Sequence, residues 1–448
     1  MKKKLISAIC LMLCLVGCSQ TTKTNEAEET LTNSEQVQEV IFEDKDDDKS
    51  VTYITEDDIT INQELENTAD GEHVILADGT SDSYSNIEVE KTGDSSGDEA
   101  DFYGENAAIF ATNGATLTLT NIIVDTDGTH ANAVFSYGEG ATINISDSVI
   151  ETDGNCSGGL MTTGGGTMNA TNLNIHTTGN SSAAIRSDRG GGTVTVTNGK
   201  YVTDGKGSPV IYSTADITVN DAYLESTSSQ GVVVEGDNSV TLNDVELVAS
   251  NVSKNSDKSS YYQAVMIYQS MSGDADKGVA SFTMNDGSLT NKNGDIFFVN
   301  NTVATITLNN VEIINEDEDG VLLRAEAAGW GKEGSNGGNV TFYLTKEDVS
   351  GDIVVDDVST LNLYINDSSN YTGCITSDGE TYVEIEDGST WTLTADSYIT
   401  SLTCLAGSIN LNGYKLYVNG VEYDGNASSG EAVVVNVSSS SSSRPGKH

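Results

Sequence analysis

Residues 116–121 read TLTLTN, and the chain keeps rewriting that hexad: 142–147 (TINISD), 167–172 (TMNATN), 193–198 (TVTVTN), 216–221 (DITVND), 239–244 (SVTLND), 281–286 (SFTMND) and 305–310 (TITLNN). The closing Asn or Asp recurs at steps of 26, 25, 26, 23, 23, 42 and 24 residues. Such a period, broken by one insertion, marks a solenoid in which each repeat packs only on its neighbours. Inside the hexad Leu117 and Leu119, Ile143 and Ile145, Val194 and Val196, and Val240 and Leu242 share one face, with Thr116, Thr118 and Thr120 on the other. That alternation is a half-buried strand.

A second strand follows, marked three residues after the Asn or Asp by Val124, Ile150, Ile175, Tyr201, Leu224, Leu247, Leu289 and Ile313. A third precedes the hexad, marked by Ile109, Val134, Leu160, Ile185, Ile211, Val234, Ile267, Phe298 and Leu323. Three strands of about five residues and three turns fill one repeat, so one repeat closes one coil. The turns are Gly, Asp, Asn and Ser, and nothing between the strands reads as a crossover helix. Same-phase strands must then stack in parallel, about 4.8 Å apart. The expected fold is all-β, a single-stranded right-handed parallel β-helix of about 25 residues per coil. The recurring Asn/Asp column belongs to a turn, where these residues tolerate the left-handed conformation and bond their own backbone, and is structural.

Charge narrows the partners. Against 21 basic residues stand 68 acidic ones, a net charge of -47, which argues against nucleic acid or anionic lipid as ligand and favours divalent cations or a solvated exterior. The 45 Gly against 2 Pro, with only 6% aromatic residues, suit a narrow interior filled by Ile, Val and Leu. Six cysteines divide into Cys10, Cys14 and Cys18 near the start and Cys156, Cys374 and Cys404 in the repeats. Without CxxC or His-rich spacing, no zinc site is expected. Cys374 and Cys404 could be a disulfide between neighbouring coils or two buried thiols.

Residues 1–17 have the form of a secretion leader: Lys2 to Lys4, then an apolar run over 5–16 too short to span a bilayer. Its end, Leu15-Val16-Gly17-Cys18, resembles the lipobox of bacterial lipoproteins, which implies cleavage before Cys18, lipidation of that residue and a membrane-anchored, extracytoplasmic location at the cell surface. Residues 18–50 are polar and acidic without periodicity, and read as a flexible tether. The β-helix is expected over 51–339, opening with strand-like pieces at 51–54, 59–61 and 74–76, with a first recognisable coil at Asn86 to Val89. An acidic bulge at 94–101 lengthens one turn, and insertions lie at 251–263 and 272–277. From 340 to 437 the repeat diverges into closing coils and a cap, where residues 388–393 (GSTWTL) and 397–399 (SYI) resemble the ends of autotransporter passengers. Residues 438–448 are a Ser-rich tail, expected to be disordered.

Stacking turns one residue choice into a surface stripe. The phase one residue after the Ile109 column holds Phe110, Phe135, Met161, Arg186, Tyr212, Glu235, Tyr268, Val299 and Arg324. If Ile109 points inward these point outward, and Phe110, Phe135, Arg186, Tyr212 and Tyr268 make a ladder on which sugar rings could stack. The alternative is that a tether or an inserted loop covers this face and the rings are ordinary packing. A second stripe is acidic: Asp125 and Glu151 share one phase and Asp127 and Asp153 another, a hard-oxygen arrangement suited to Ca²⁺. Asp127-Gly128, Asp153-Gly154 and Asp204-Gly205 are also ordinary turn dipeptides.

Over residues 51–437 the architecture and the setting resemble right-handed β-helix surface proteins of the pectate-lyase-like group, including its non-catalytic carbohydrate-binding lipoproteins. The resemblance is one of architecture, and this scaffold carries lyases, hydrolases and adhesins alike. A lyase would need a Ca²⁺ cluster facing a basic residue that abstracts a proton, for which Arg186, Asp188 and Arg189 are the local candidates. No family catalytic motif maps onto them, and the outward strand phases lack the clustered Asp pairs of hydrolases. The outward pairs Thr116/Thr118, Thr193/Thr195 and Thr305/Thr307 resemble ice-binding solenoids, but Asn144, Asn169, Asp216 and Ser239 interrupt the column. The expectation is a lipid-anchored, monomeric surface protein that binds a polysaccharide or adheres to a neighbouring or host cell glycan, with Ca²⁺ as a structural ion. A Ca²⁺-dependent lyase and a plain spacer or ice-binding-like surface are the alternatives.

Overall fold

The computed structural model describes residues 52–254, 256–435 and 437. The leader, Cys18, the tether and the Ser-rich tail lie outside them. Among the described residues the long strands Thr116–Thr126, Thr142–Thr152, Gly166–Thr177 and Gly192–Thr203 stack in one parallel sheet of 16 strands. The short strands Ile109–Thr112, Val134–Tyr137 and Leu160–Thr163 belong to a parallel sheet of 12. The two sheets enclose one continuous apolar core that runs from Ile75 to Leu416. This is a parallel β-helix.

Each long strand is two of the anticipated strands joined at a bend, and the bend is the Asn/Asp column. Asn86, Asn121, Asp147, Asn172, Asn198, Asp221, Asp244, Asp286 and Asn310 all have φ between 51° and 58°. Asn and Asp visit that left-handed region most readily of the residues that carry a side chain. Neighbours bond along the column, Asn172 Nδ2 donating to Asp147 Oδ1 at 2.8 Å. The bend also resets the alternation, so Leu117 and Leu119 point inward before it and Ile122 and Val124 after it.

The register of the second sheet pairs Ile109 with Val134, Val134 with Leu160, Leu160 with Ile185, and Ile185 with Ile211. Beyond that the column runs through Val232, Val265 and Phe297. Val234 and Ile267 sit two residues further along the same inward face. Phe298 and Val299 exchange the roles expected of them: Phe298 pairs with the outward Met266, and Val299 is in the core. The reason is local. Gln263–Tyr268 and Asp295–Asn300 are buried on both faces, so no polar alternation marks which residue points in.

A third corner closes each coil through a repeated hydroxyl turn. Thr152 Oγ1 donates to the Ser157 carbonyl (2.6 Å), Thr177 to Ser182 (2.5 Å) and Thr203 to Ser208 (2.7 Å). Ser157, Ser182 and Ser208 then donate to the carbonyls of Gly128, Gly154 and Gly179 one coil below. The glycines are obligatory by proximity: a Cβ at Gly128, Gly154, Gly179 or Gly205 would lie 2.1, 2.0, 1.9 or 1.8 Å from a backbone oxygen of the adjacent coil.

Two features depart from the sequence reading. The bulge after Lys91 contains a six-residue α-helix, Asp98–Tyr103, whose first turn carries Asp98, Glu99 and Asp101 and whose C-cap Gly104 has φ 80°. Acidic residues favour a helix N-terminus and glycine a left-handed cap. Residues 52–54 and 59–61 are not strands. They flank a 3-10 turn, Glu56–Asp58, and Ile54, Ile59 and Ile61 pack on Ile123 and Val149 outside the sheet. Of the two states open to Cys374 and Cys404, the structure shows separate buried thiols. At the far end Leu416–Val418 and Val421–Glu422 pair antiparallel, and the chain then turns back to exchange two hydrogen bonds between Val433 and Asn362. An antiparallel closure offers a stacking edge no further parallel rung.

Gly154→Ala should lower unfolding stability by about 3 kcal/mol or more, since no flexible side chain can yield. Gly114→Ala, at φ 74° in open space, should cost only about 1 kcal/mol. Urea unfolding followed by far-ultraviolet circular dichroism measures both.

Candidate functional site

The outward ladder exists in register, since Phe110 pairs with Phe135, Phe135 with Met161, Met161 with Arg186 and Arg186 with Tyr212. It is not an open platform. Phe110, Phe135 and Met161 are 7%, 0% and 0% exposed. The segment around the 98–103 helix lies over them: Gly104 packs against the Phe110 ring, Tyr103 against Tyr137, and the Phe102 carbonyl accepts from Thr163 Oγ1 at 2.8 Å. A stacked strip of rings and thioethers is a large apolar surface, and here an insertion buries it. Of the two alternatives, covering by an inserted loop is what the structure shows at Phe110 and Phe135.

Arg189 fastens that cover. Its guanidinium lies 3.5 Å from the centre of the Phe102 ring and bonds Asp98 (2.9 Å) on the helix and Asp274 (2.7 Å) in the later insertion. Arg186 pairs with Asp188 at 2.9 Å, both side chains mostly buried. Burial alone would lower the Arg186 pKa, but the carboxylates of Asp188 and Asp101 outweigh it and the net shift is upward. Arg186, Asp188 and Arg189 therefore form a clasp of ion pairs, and an arginine held more firmly cationic is the opposite of a proton-abstracting base.

Further along the same face Tyr212, Glu235 and Tyr268 meet. Both tyrosine hydroxyls donate to Glu235 Oε2, Tyr268 at 3.1 Å, and the hydroxyls are 3.1 Å apart. Burial pushes the Glu235 carboxyl above its usual range, against the pull of the hydroxyls around it. Beside this knot the insertion carrying Tyr261 and the loop carrying Trp330 stand up from the coil and frame a half-open cavity of about 260 Å³. Tyr212, Tyr268 and Met266 line it from the sheet, Tyr261 and Trp330 from the loops, and Lys254 and Lys258 from the insertion. Tyr268 meets Trp330 edge to face at 5.2 Å. Arg324, pinned by Asp295 at 2.6 Å, lies 3.7 Å over the Tyr261 ring and fixes its outer wall.

Two of the five ladder residues, Tyr212 and Tyr268, thus reach this cavity; Phe110, Phe135 and Arg186 do not line it. Tyr261, Trp330, Lys254 and Lys258 escaped the sequence reading because they lie in segments without the repeat. One signal was available: the chain has only 2 Trp, and one of them falls between two glycines outside the repeated strands.

The acidic stripe is also in register, Glu90 over Asp125 and Asp125 over Glu151. Partial burial, then Glu151, Asp153 and Glu90, push Asp125 up to about 6. Asp153 Oδ1 is already engaged by Thr178 Oγ1 at 2.7 Å. Asp125, Asp127, Glu151 and Asp153 do not close into a cage: among the described residues the one set of three potential ligands with donor atoms within 4.8 Å of one another is Asp101, His130 and Cys156. What the stripe offers Ca²⁺ is a column of like charges whose repulsion a cation or a proton relieves.

Because the folded-state pKa of Asp125 lies above the usual aspartate value of 3.8, the folded form holds the extra proton, and stability should fall as pH rises from about 4 to about 6. Asp125→Asn should remove that loss and raise the melting temperature at neutral pH but not below pH 4; as the residue, though partly shielded, still meets solvent, the gain should stay below about 1 kcal/mol. Arg189→Ala should destabilise by about 2 kcal/mol, less than a fully buried pair because Asp98 is solvated, and should speed hydrogen exchange across residues 98–103. No protein-family model matches the chain, and no curated protein or solved structure matches it either.

Proposed function

We propose that this is a surface-displayed β-helix that binds a glycan chain without turning it over, held to the membrane through a lipidated Cys18. The observation that carries the reading is the cavity formed by Tyr212, Tyr261, Tyr268 and Trp330 with Lys254 and Lys258. Aromatic faces and edges present flat apolar area to the C–H faces of a sugar ring, while the phenol hydroxyls and amides around them suit its hydroxyls. At about 260 Å³ the cavity is at the small end of ligand pockets, which suits one sugar residue of a longer chain rather than an enclosed oligosaccharide. Two lysines at one cavity stand out in a chain of net charge -47 and favour a sugar bearing a carboxylate or sulfate. The leader with its lipobox-like end supports the anchor. No helix among the described residues is long and apolar enough to cross a membrane. Ca²⁺ enters this reading as a counter-ion along the Asp125 and Glu151 column, its shell completed by water.

Full-length protein should be retained by members of an insoluble polysaccharide panel, uronate-containing ones above neutral ones. Trp330→Ala and Tyr261→Ala should weaken that retention at least about tenfold, the loss of a stacking contact in a binding hot spot. Phe135→Ala should lower stability by about 3–5 kcal/mol and leave the affinity of the folded fraction unchanged. Retention by no glycan, or retention indifferent to Trp330 and Tyr261, would sink the reading; unsaturated products from a uronate polymer would replace it by a lyase.

A further inference from the structure

His130 and Cys156 occupy the same place in consecutive coils. Both are left-handed, with φ 58° and 57°, and each donates its backbone N–H to the next coil, His130 to Asn155 and Cys156 to Asn180. Equivalent positions one rung apart bring their side chains alongside each other at the rung spacing of about 4.8 Å. Asp101, on the short helix that covers the neighbouring rings, enters from outside the column. The three donor atoms lie within 4.8 Å of one another.

The imidazole is the unusual member. His130 is 8% exposed, and its Nδ1 is fully buried without a directed hydrogen bond. Asp101 Oδ1 is 3.0 Å away but off the line a ring N–H would take. A buried ring nitrogen whose carboxylate neighbour is so placed calls for a better-directed partner. A metal ion would supply it, because it accepts the lone pair of Nδ1 and faces the carboxylate oxygen at once.

We propose that Asp101, His130 and Cys156 form a transition-metal site, with Zn²⁺ as the ion the donor set fits best. One carboxylate oxygen, one imidazole nitrogen and one thiolate are typical zinc donors, and three protein ligands leave a fourth position for water or an incoming group. Two ligands bound at about 2.0–2.1 Å in a tetrahedron sit about 3.3 Å apart, close to the 3.0 Å between Nδ1 and Oδ1. On binding, the Cys156 thiol releases its proton to solvent and the sulfur donates the freed electron pair; the nitrogen and oxygen donate lone pairs they already hold. Carboxylate and thiolate together balance the dication, while the nearby Arg186 is already neutralised by Asp188 at 2.9 Å. The ion would tie the 98–103 helix to two coils and lock the cover over Phe110 and Phe135.

The test uses full-length protein stripped with chelator and titrated with Co²⁺ and Zn²⁺. One equivalent of Co²⁺ should give a thiolate-to-cobalt charge-transfer band, displaced by Zn²⁺, and Zn²⁺ should raise the melting temperature. Cys156→Ser should abolish the band, and His130→Gln and Asp101→Asn should each weaken Zn²⁺ binding at least tenfold, with circular dichroism confirming that each variant is folded. Because Cys10, Cys14, Cys18, Cys374 and Cys404 remain in the Cys156→Ser protein, a band that survives this substitution comes from another thiol and overturns the proposal. So does Co²⁺ bound without a sulfur band, or no binding to the wild type.

Discussion

Everything in this molecule follows from the distance between one coil and the next. Parallel ladders hold successive rungs about 4.8 Å apart, and at that spacing each residue has the same position of the coil above and below as its nearest neighbour. The consequence is severe at the corners. Gly128, Gly154, Gly179 and Gly205 have no room for a methyl group because the carbonyl beneath is already in contact. Nine bends from Asn86 to Asn310 are Asn or Asp because each must take φ near 55° without the freedom of glycine's own backbone. The Thr–Ser–Gly corner satisfies buried hydroxyls and carbonyls by the same bond repeated from rung to rung.

The same stacking creates a difficulty on the outside. An apolar residue at an outward position is not one exposed ring but a strip of them, and a strip of that size in water promotes association. This chain buries it with insertions. The helix over 98–103 covers Phe110, Phe135 and Met161, and the loops carrying Tyr261 and Trp330 rise over Val233, Met266 and Phe298. Where the second cover stops short, a cavity remains between Tyr212, Tyr268, Tyr261 and Trp330. The basic groups serve the covers in turn: Arg189 and Arg324 each combine a carboxylate partner with an aromatic face, the pairing in which a guanidinium surpasses an ammonium.

The repeat was legible because it is local. The alternation of Leu117 and Leu119, the closing Asn121 and the inward Val124 are constraints each rung satisfies for itself, so the period, the parallel sheets and the left-handed column could be read directly. The inward residue was not legible at Phe297, Phe298 and Val299, where a strand buried on both faces carries no polar marker of direction. Nor was it legible that the charge-rich bulge at 94–101 leads into the helix Asp98–Tyr103. Spacing along the chain also says nothing of side chains that a coil and an overlying helix bring together, as with residues 101, 130 and 156.

By itself the order of residues determined a coil of fixed circumference, its inward face and the left-handed residue at its bend, since these depend on contacts repeated at every turn of the chain. Which outward residues meet solvent was decided only in three dimensions. Phe135 and Tyr212 are in the same column and read alike in sequence, yet one lies under a helix and the other lines a cavity. That difference belongs to insertions whose path is set by single contacts such as Arg189 to Asp98, made once and never repeated.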